Sequence, residues 1–213
     1  MSHADALHTS TGLDNRKLLM WLFLASECLF FGSLIGAYLL YRGDHEVPCV
    51  AGELSACVFP TDRTINGVEY QGLFDIPFTS VSAFVLLMSS VTMVLALAAI
   101  QRGNQRGLLV WLFATAFLGI VFLSGQAFEF TEFNEHGLSL STNLFGTTFF
   151  VLTGFHGAHV TVGVLILLSL WVMAARGRLT QEKSLNVELA GLYWHFVDIV
   201  WIAIFTLIYL IQP

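Results

Sequence analysis

The chain has 213 residues, 56% of them hydrophobic and only 11% charged, and its mean hydropathy of +0.74 lies outside the soluble globular range and marks an integral membrane protein. The formal charge of -6 comes without any basic patch, which excludes nucleic acid as a partner. In such a chain the informative quantity is how its few charges divide between loops.

The N-terminal MSHADALHTSTGLDN is polar, and the apolar run after it is too long for a signal peptide and has no small-residue cleavage pattern, so the first span is expected to remain in the mature protein. Residues 1–17 read as a tail and 18–213 as one membrane domain. A helix crossing the hydrocarbon core takes roughly 20 apolar residues, and five stretches meet that length: 18–41, 76–100, 108–130, 144–174 and 190–211. The expected fold is therefore all-α, a bundle of five transmembrane helices.

The first span contains SECLFFGSLIGAYL, where Glu27 lies about 13 Å along its helix at about 1.5 Å per residue. Cys28 beside it reads as inert, and Gly32 and Gly36 make a small-xxx-small face for close packing. The loop 42–75 holds Cys49 and Cys57, close enough in sequence for a disulfide if the loop faces an oxidising compartment. Two free thiols remain the alternative, and two cysteines alone fall short of a zinc site's four ligands. The second span opens on IPFTSVSAF, with Pro77 suited to a first helical turn, and ends at QRGNQRG, a tight turn that makes spans two and three an antiparallel hairpin. Thr79, Ser80, Ser82, Ser89, Ser90 and Thr92 supply hydroxyls for bonds across helices or back to their own carbonyls.

The fourth run is longer than a perpendicular span needs and carries GFHGAHVTVG, with His156 and His159 three apart on one predicted face and Gly154, Gly157 and Gly163 around them. The fifth carries GLYWHFVDIVW, with His195 and Asp198 again three apart and Asp198 about 12 Å in, a depth similar to that of Glu27. Trp194 and Trp201 read as residues for a membrane interface or a partner protein. There is no internal repeat and no broken-helix pair to suggest a transporter.

Arg16, Lys17, Arg102, Arg106, Arg176, Arg178 and Lys183 fall on one side of these spans, and only Arg42 and Arg63 on the other. The excess predicts a cytoplasmic N-terminus and a C-terminus outside. The outer side then carries Asp44, Glu46, Glu53, Asp62, Glu69, Asp75, Glu129, Glu132 and Glu135 as an acidic surface.

Ionisable residues within spans are costly in lipid and must face protein, water or one another. A bis-histidine haem needs ligands on facing helices at matched depth, which an adjacent histidine pair and one histidine elsewhere do not supply. A copper or iron site needs three or four convergent ligands. The reading from residues alone is that these imidazoles and carboxylates set helix packing, with no metal bound, and that the chain is built to dock against another protein.

Three motifs, SECLFFGSLIGAYL, TTFFVLTGFHGAHVTVG and LYWHFVDIVWIAIFTLIYL, together with IPFTSVSAFVLLMSS, resemble subunit III of the haem-copper oxidases, the cytochrome c oxidase family, in that family's order from residue 18 to 211. With five spans the chain is similar to the short bacterial form. The resemblance implies a subunit of the bacterial plasma membrane, without a redox cofactor of its own, beside a catalytic subunit whose haem and copper reduce oxygen to water while protons move outward. It implies phospholipid binding in a cleft between helix groups, support of proton uptake from the inner side, and protection of the complex during turnover. It marks Glu27 as the functional carboxylate and His156, His159, His195 and Asp198 as packing, lipid-binding or proton-related groups rather than ligands; burial in an apolar helix favours the protonated carboxyl, so Glu27 is expected to be neutral and hydrogen-bonded toward the HFVD helix. Glutamate in SECLFF favours cytochrome c as the electron donor of the complex. Quinol oxidases carry a very similar subunit, and a nitric oxide reductase accessory subunit or an unrelated haem-carrying membrane protein are the remaining alternatives.

Overall fold

The computed structural model describes residues 14–41, 63–65, 68–70, 75–135, 140 and 144–211. Five helices long and apolar enough to cross a membrane account for most of them. Helix α1 (Asn15–Tyr41) starts where the Asp14 carboxylate accepts the backbone N–H of Arg16 at 2.8 Å, filling one of the donors a helix start leaves open. Its buried residues, Leu24, Phe31 and Tyr38, recur every seven positions. That stripe, flanked by the partly buried Met20, Phe30, Leu34 and Ile35, packs mainly on α4 and α5, and the opposite face of α1 is exposed.

Helix α2 (Ile76–Gln101) is capped by Asp75, whose carboxylate accepts the N–H of Phe78 at 3.1 Å, with Pro77 in the first turn. It is followed by α3 (Gln105–Glu135). Gly103 takes a φ of +71° in the turn between them, a backbone state that suits a residue without a Cβ. The Asn104 side chain then accepts the N–H of Gly107 at 3.0 Å and starts α3. Helix α4 (Leu144–Ala175) ends at Gly177, φ +67°, with Gly177 N–H donating to Ala174 O and Arg178 N–H to Met173 O, both at 2.9 Å. A 3₁₀ turn (Gln181–Lys183) leads into α5 (Ser184–Phe205), which finishes in a π-helical turn (Thr206–Leu210). The Gln105 side chain donates to Ala174 O and Leu179 O at 3.1 and 3.2 Å, and Gln181 to Gln101 O at 2.6 Å. These bonds tie the α2–α3 and α4–α5 turns together at one end of the bundle.

The predicted spans match these helices, with two extensions. Helix α3 runs on to Glu135 rather than stopping near residue 130, and α5 begins at Ser184 rather than near 190. The segment between α1 and α2 also contains, among the described residues, a two-stranded antiparallel hairpin, β1 (Arg63–Ile65) paired with β2 (Val68–Tyr70) in the register Thr64 to Glu69, a small departure from a purely helical chain. The predicted cysteine pair, Cys49 and Cys57, lies outside the described residues, and Cys28 is a free thiol exposed on α1.

Packing centres on Trp194 of α5, 1% exposed. Its indole N–H donates to the Ser89 hydroxyl of α2 at 2.9 Å. Its ring fills space left by two glycines: a Cβ on Gly119 of α3 would stand 2.6 Å from Cη2, and one on Gly163 of α4 would stand 2.8 Å from Cε3 and Cζ3. The expectation that Trp194 and Trp201 face an interface or a partner is therefore corrected, because both are buried in the chain's own core. The glycine expectation is also divided. Gly163 and Gly157 meet neighbouring helices, whereas a Cβ on Gly32, Gly36 or Gly154 would have no atom within 4 Å, so GSLIG makes no close approach within this chain.

Adding one methyl group at Gly163 or Gly119 forces a rigid, hydrogen-bonded indole to move, at a cost of about 1–3 kcal/mol. Gly163→Ala and Gly119→Ala are expected to lower the thermal unfolding midpoint of the detergent-solubilised chain, while Gly36→Ala leaves it unchanged or slightly raised. Equal behaviour of the three variants would contradict this packing.

Candidate functional site

Helical geometry separates residues that spacing had grouped. At about 100° per residue, His156 and His159 are about 60° apart around α4, and Tyr193 and His195 about 160° apart around α5. The predicted residues consequently fall into two groups on different sides of the bundle.

The first group joins α1, α4 and α5. Glu27 Oε2 lies 3.2 Å from His159 Nε2. The other ring nitrogen, Nδ1, lies 2.7 Å from the carbonyl oxygen of Phe155, one turn earlier. A carbonyl only accepts, so Nδ1 carries the proton there. His159 Nε2 then either accepts from a protonated Glu27 or, as imidazolium, donates to the Glu27 carboxylate. In both forms the pair holds one shared proton and no net charge, which removes most of the cost of placing two ionisable groups in lipid. Tyr193 completes the group by donating its O–H to the His159 backbone carbonyl at 3.0 Å. The ring of Phe31 meets that of His159 edge-on with centroids 5.0 Å apart. The partner of Glu27 is thus α4, and its link to α5 runs through Tyr193. The expected hydrogen bond toward the HFVD motif does not form, because the same depth on two helices does not give the same face.

This group forms the polar wall of an apolar groove of about 660 Å³ between α1 and the α4–α5 pair, lined by Met20, Phe23, Val162, Ile166 and Leu189 among others. One turn before Met20 on α1, the Lys17 ammonium contacts the Glu188 carboxylate of α5 at 2.7 Å.

The second group lies among α2, α3, α4 and α5. His195 Nδ1 is 2.5 Å from the Ser90 hydroxyl of α2. His156 is fully buried. Its Nε2–H donates to the carbonyl of Val197 at 3.2 Å, and its ring stacks on Trp201 with centroids 4.9 Å apart. Asp198 is 3% exposed. Among the described residues no three His, Cys, Asp or Glu side chains converge as metal ligands would.

One ionisable residue was misplaced by sequence. Glu129, assigned to the outer acidic surface, is 4% exposed and accepts a short hydrogen bond from the Thr79 hydroxyl of α2. The signal was present in the spacing Gly119, Phe122, Gln126, Glu129, Phe133, all buried along one face of α3. That helical period continues past the point where hydropathy falls and the predicted span stops.

Five membrane-crossing helices with ionisable groups paired between them define a multi-pass helical membrane protein. The family model described as "Cytochrome c oxidase subunit III" matches residues 2–212. Cytochrome c oxidase subunit 3 of Thermostichus vulcanus is 37% identical over 205 residues, covering 96% of this chain and 91% of that protein. The subunit of the same name from a Synechocystis species is 39% identical over 199 residues, 93% of this chain and 76% of that one. Quinol oxidase subunit 3 of Bacillus spizizenii is 32% identical over 217 residues, 99% and 97% of the two chains. The chain belongs to the cytochrome c oxidase subunit III family of the haem-copper oxidases.

The two kinds of polar contact differ in cost of removal. Thr79→Val strands a buried carboxyl and is expected to destabilise by about 1–3 kcal/mol. Lys17→Met removes a pair that is 35% and 34% exposed and is expected to cost about 0.2–1 kcal/mol, less at high salt. Urea or thermal unfolding of the two variants side by side checks the order.

Proposed function

We propose that the chain is the non-catalytic subunit III of a proton-pumping respiratory cytochrome c oxidase of a bacterial plasma membrane. Oxygen is reduced to water in a neighbouring catalytic subunit that holds haem and copper, and this chain carries no redox centre. Its role is to support proton uptake, bind phospholipid and prolong the working life of the complex. The observation that carries this reading is the Glu27–His159 pair on the wall of the apolar groove between α1, α4 and α5.

The physical sequence is short. Phospholipid acyl chains occupy the groove and hold α1 against α4 and α5, since α1 buries only Leu24, Phe31 and Tyr38 within this chain. The N-terminus faces the cytoplasm, as the seven basic residues on that side favour, which places the groove and Glu27 in the inner half of the membrane. Glu27 and His159 exchange their shared proton between two forms of equal net charge. Moving that proton within the pair leaves its net charge unchanged, whereas a proton passed to or from the pair changes that charge by one.

Cytochrome c is the favoured donor of the complex, supported by Glu27 in SECLFF and by the 37% and 39% identities to subunits of cytochrome c oxidases. A quinol oxidase is the second reading, supported by relatives of that name that align over 99% of this chain.

In the assembled complex Glu27→Ala is expected to leave haem content intact and to slow proton uptake or shorten the turnover lifetime. Loss of haem in this variant would contradict the proposed role. The chain purified alone is expected to show no haem band in its visible spectrum. A copurifying subunit with a copper-binding domain that docks cytochrome c would settle the donor, and its absence would favour quinol.

A further inference from the structure

A subunit of a membrane oxidase presents at least one flank to another membrane subunit, and polar side chains on its surface show which flank that is. Apolar residues do not discriminate, because lipid tails are as apolar as a partner helix. Most hydroxyls on the outside of the spans are closed onto their own helix: Ser26, Ser33, Ser124, Thr161 and Ser169 each donate to the carbonyl three or four residues earlier. The His195 imidazole is not closed in this way. It is half-buried at the midpoint of the span Gln181–Leu210. Its Nδ1 lies 2.5 Å from the Ser90 hydroxyl of α2, its only hydrogen bond among the described residues, and Nε2 is not among the buried atoms. Whichever nitrogen carries the proton, Nε2 is a donor or a lone pair without a partner, and hydrocarbon supplies neither acceptor nor donor.

This imidazole opens into a furrow between α1 and α2 whose floor is α5. Helix α1 packs on α4 and α5, and α2 packs on α3 and α5. At about 100° per residue, Ile199 lies about 40° from His195, which meets α2, and about 60° from Phe196, whose ring meets Phe31 of α1 with centroids 6.3 Å apart. Ile199 is 65% exposed, and Ile202 beside it is exposed too, so α5 is uncovered between its two neighbours. On α1, Phe30 meets Phe155 of α4 and Phe31 meets Phe196 of α5. The next step in the same sense carries Gly32 past α5 to the furrow side, with Gly36 one turn further on. A Cβ at either glycine would have no atom within 4 Å, which leaves this wall bare. Leu87, Val91 and Val94, all exposed, flank Ser90 on the α2 wall.

We propose that this furrow seats a transmembrane helix of a neighbouring oxidase subunit, its backbone close against Gly32 and Gly36 and a hydroxyl, amide or carboxyl side chain bonded to His195 Nε2. The proposal rests on the reading of the chain as an oxidase subunit and adds which flank is covered and by what chemistry. Close approach at small residues and a hydrogen bond across helices are the two forces that associate helices in lipid, and both are available on this flank. An acyl chain in the same place would leave the imidazole nitrogen unpaired. The groove on the other side of α1 differs, because Glu27 and His159 already pair there.

Photocrosslinking of the chain in native membranes tests this, with benzoylphenylalanine at Ile199 and, for comparison, at the exposed Phe117 on the outer face of α3. The expected result is a covalent adduct with a second oxidase polypeptide at Ile199 and with lipid alone at Phe117. Adducts at Ile199 to lipid alone, or to a second copy of this chain, would overturn the proposal. An oxidase adduct at Phe117 and none at Ile199 would also overturn it while leaving the subunit role intact, whereas a chain that copurifies with no haem-copper subunit defeats that role itself. Gly36→Leu gives a second readout. It is expected to be lost from the purified complex although the unfolding midpoint of the isolated chain is unchanged, since nothing in the chain stands near that position. Full retention of this variant in the complex contradicts a helix seated there.

Discussion

The seating of Trp194 between Gly119 and Gly163, with its indole N–H on Ser89, is the contact on which the arrangement of α2 to α5 depends. In lipid the hydrophobic effect does not distinguish a helix neighbour from an acyl chain, so helices associate through close van der Waals fit and interhelical hydrogen bonds. This residue supplies both at once. It is a large rigid side chain of one helix, inserted where two others have none, and bonded to a hydroxyl of a fourth. Thr92 and Thr115, 2.8 Å apart, repeat the hydrogen-bonding part between α2 and α3.

Helix α1 stands apart from this logic. It buries three large side chains at seven-residue intervals and adds the rings of Phe23 and Phe30, against Tyr193 and Phe155, and the polar contacts of Glu27 and Lys17. Its glycines Gly32 and Gly36 meet nothing within 4 Å in this chain. A lightly attached helix beside a four-helix unit leaves a groove, and two of the residues that the family resemblance marked, Glu27 and His159, lie on its wall beside Tyr193. The division between a tight core and a loosely held α1 is thus what creates the candidate site.

The same division explains which polar residues find protein partners. At the groove, Glu27 and His159 come from helices whose side chains reach one another, and the pair neutralises itself. Glu129 meets a hydroxyl where α2 and α3 pack. In the middle of the core, His195 reaches the Ser90 hydroxyl of α2 and His156 the Val197 carbonyl of α5.

Sequence by itself determined the class and the spans, because hydrocarbon thickness is a strong length filter and a run of apolar residues either meets it or does not. It also placed Glu27, His156, His159, His195 and Asp198 within the spans. Tertiary structure decided how these pair. A spacing of three residues leaves an offset of about 60° around a helix, enough to aim His156 into the core and His159 at α1, and matched depth with Asp198 gave no information about the face Glu27 presents. Likewise the end of α3 was hidden because hydropathy falls before the helix does, so Glu129 read as a surface charge. Only the approach of α2, with Thr79 opposite, made its burial possible.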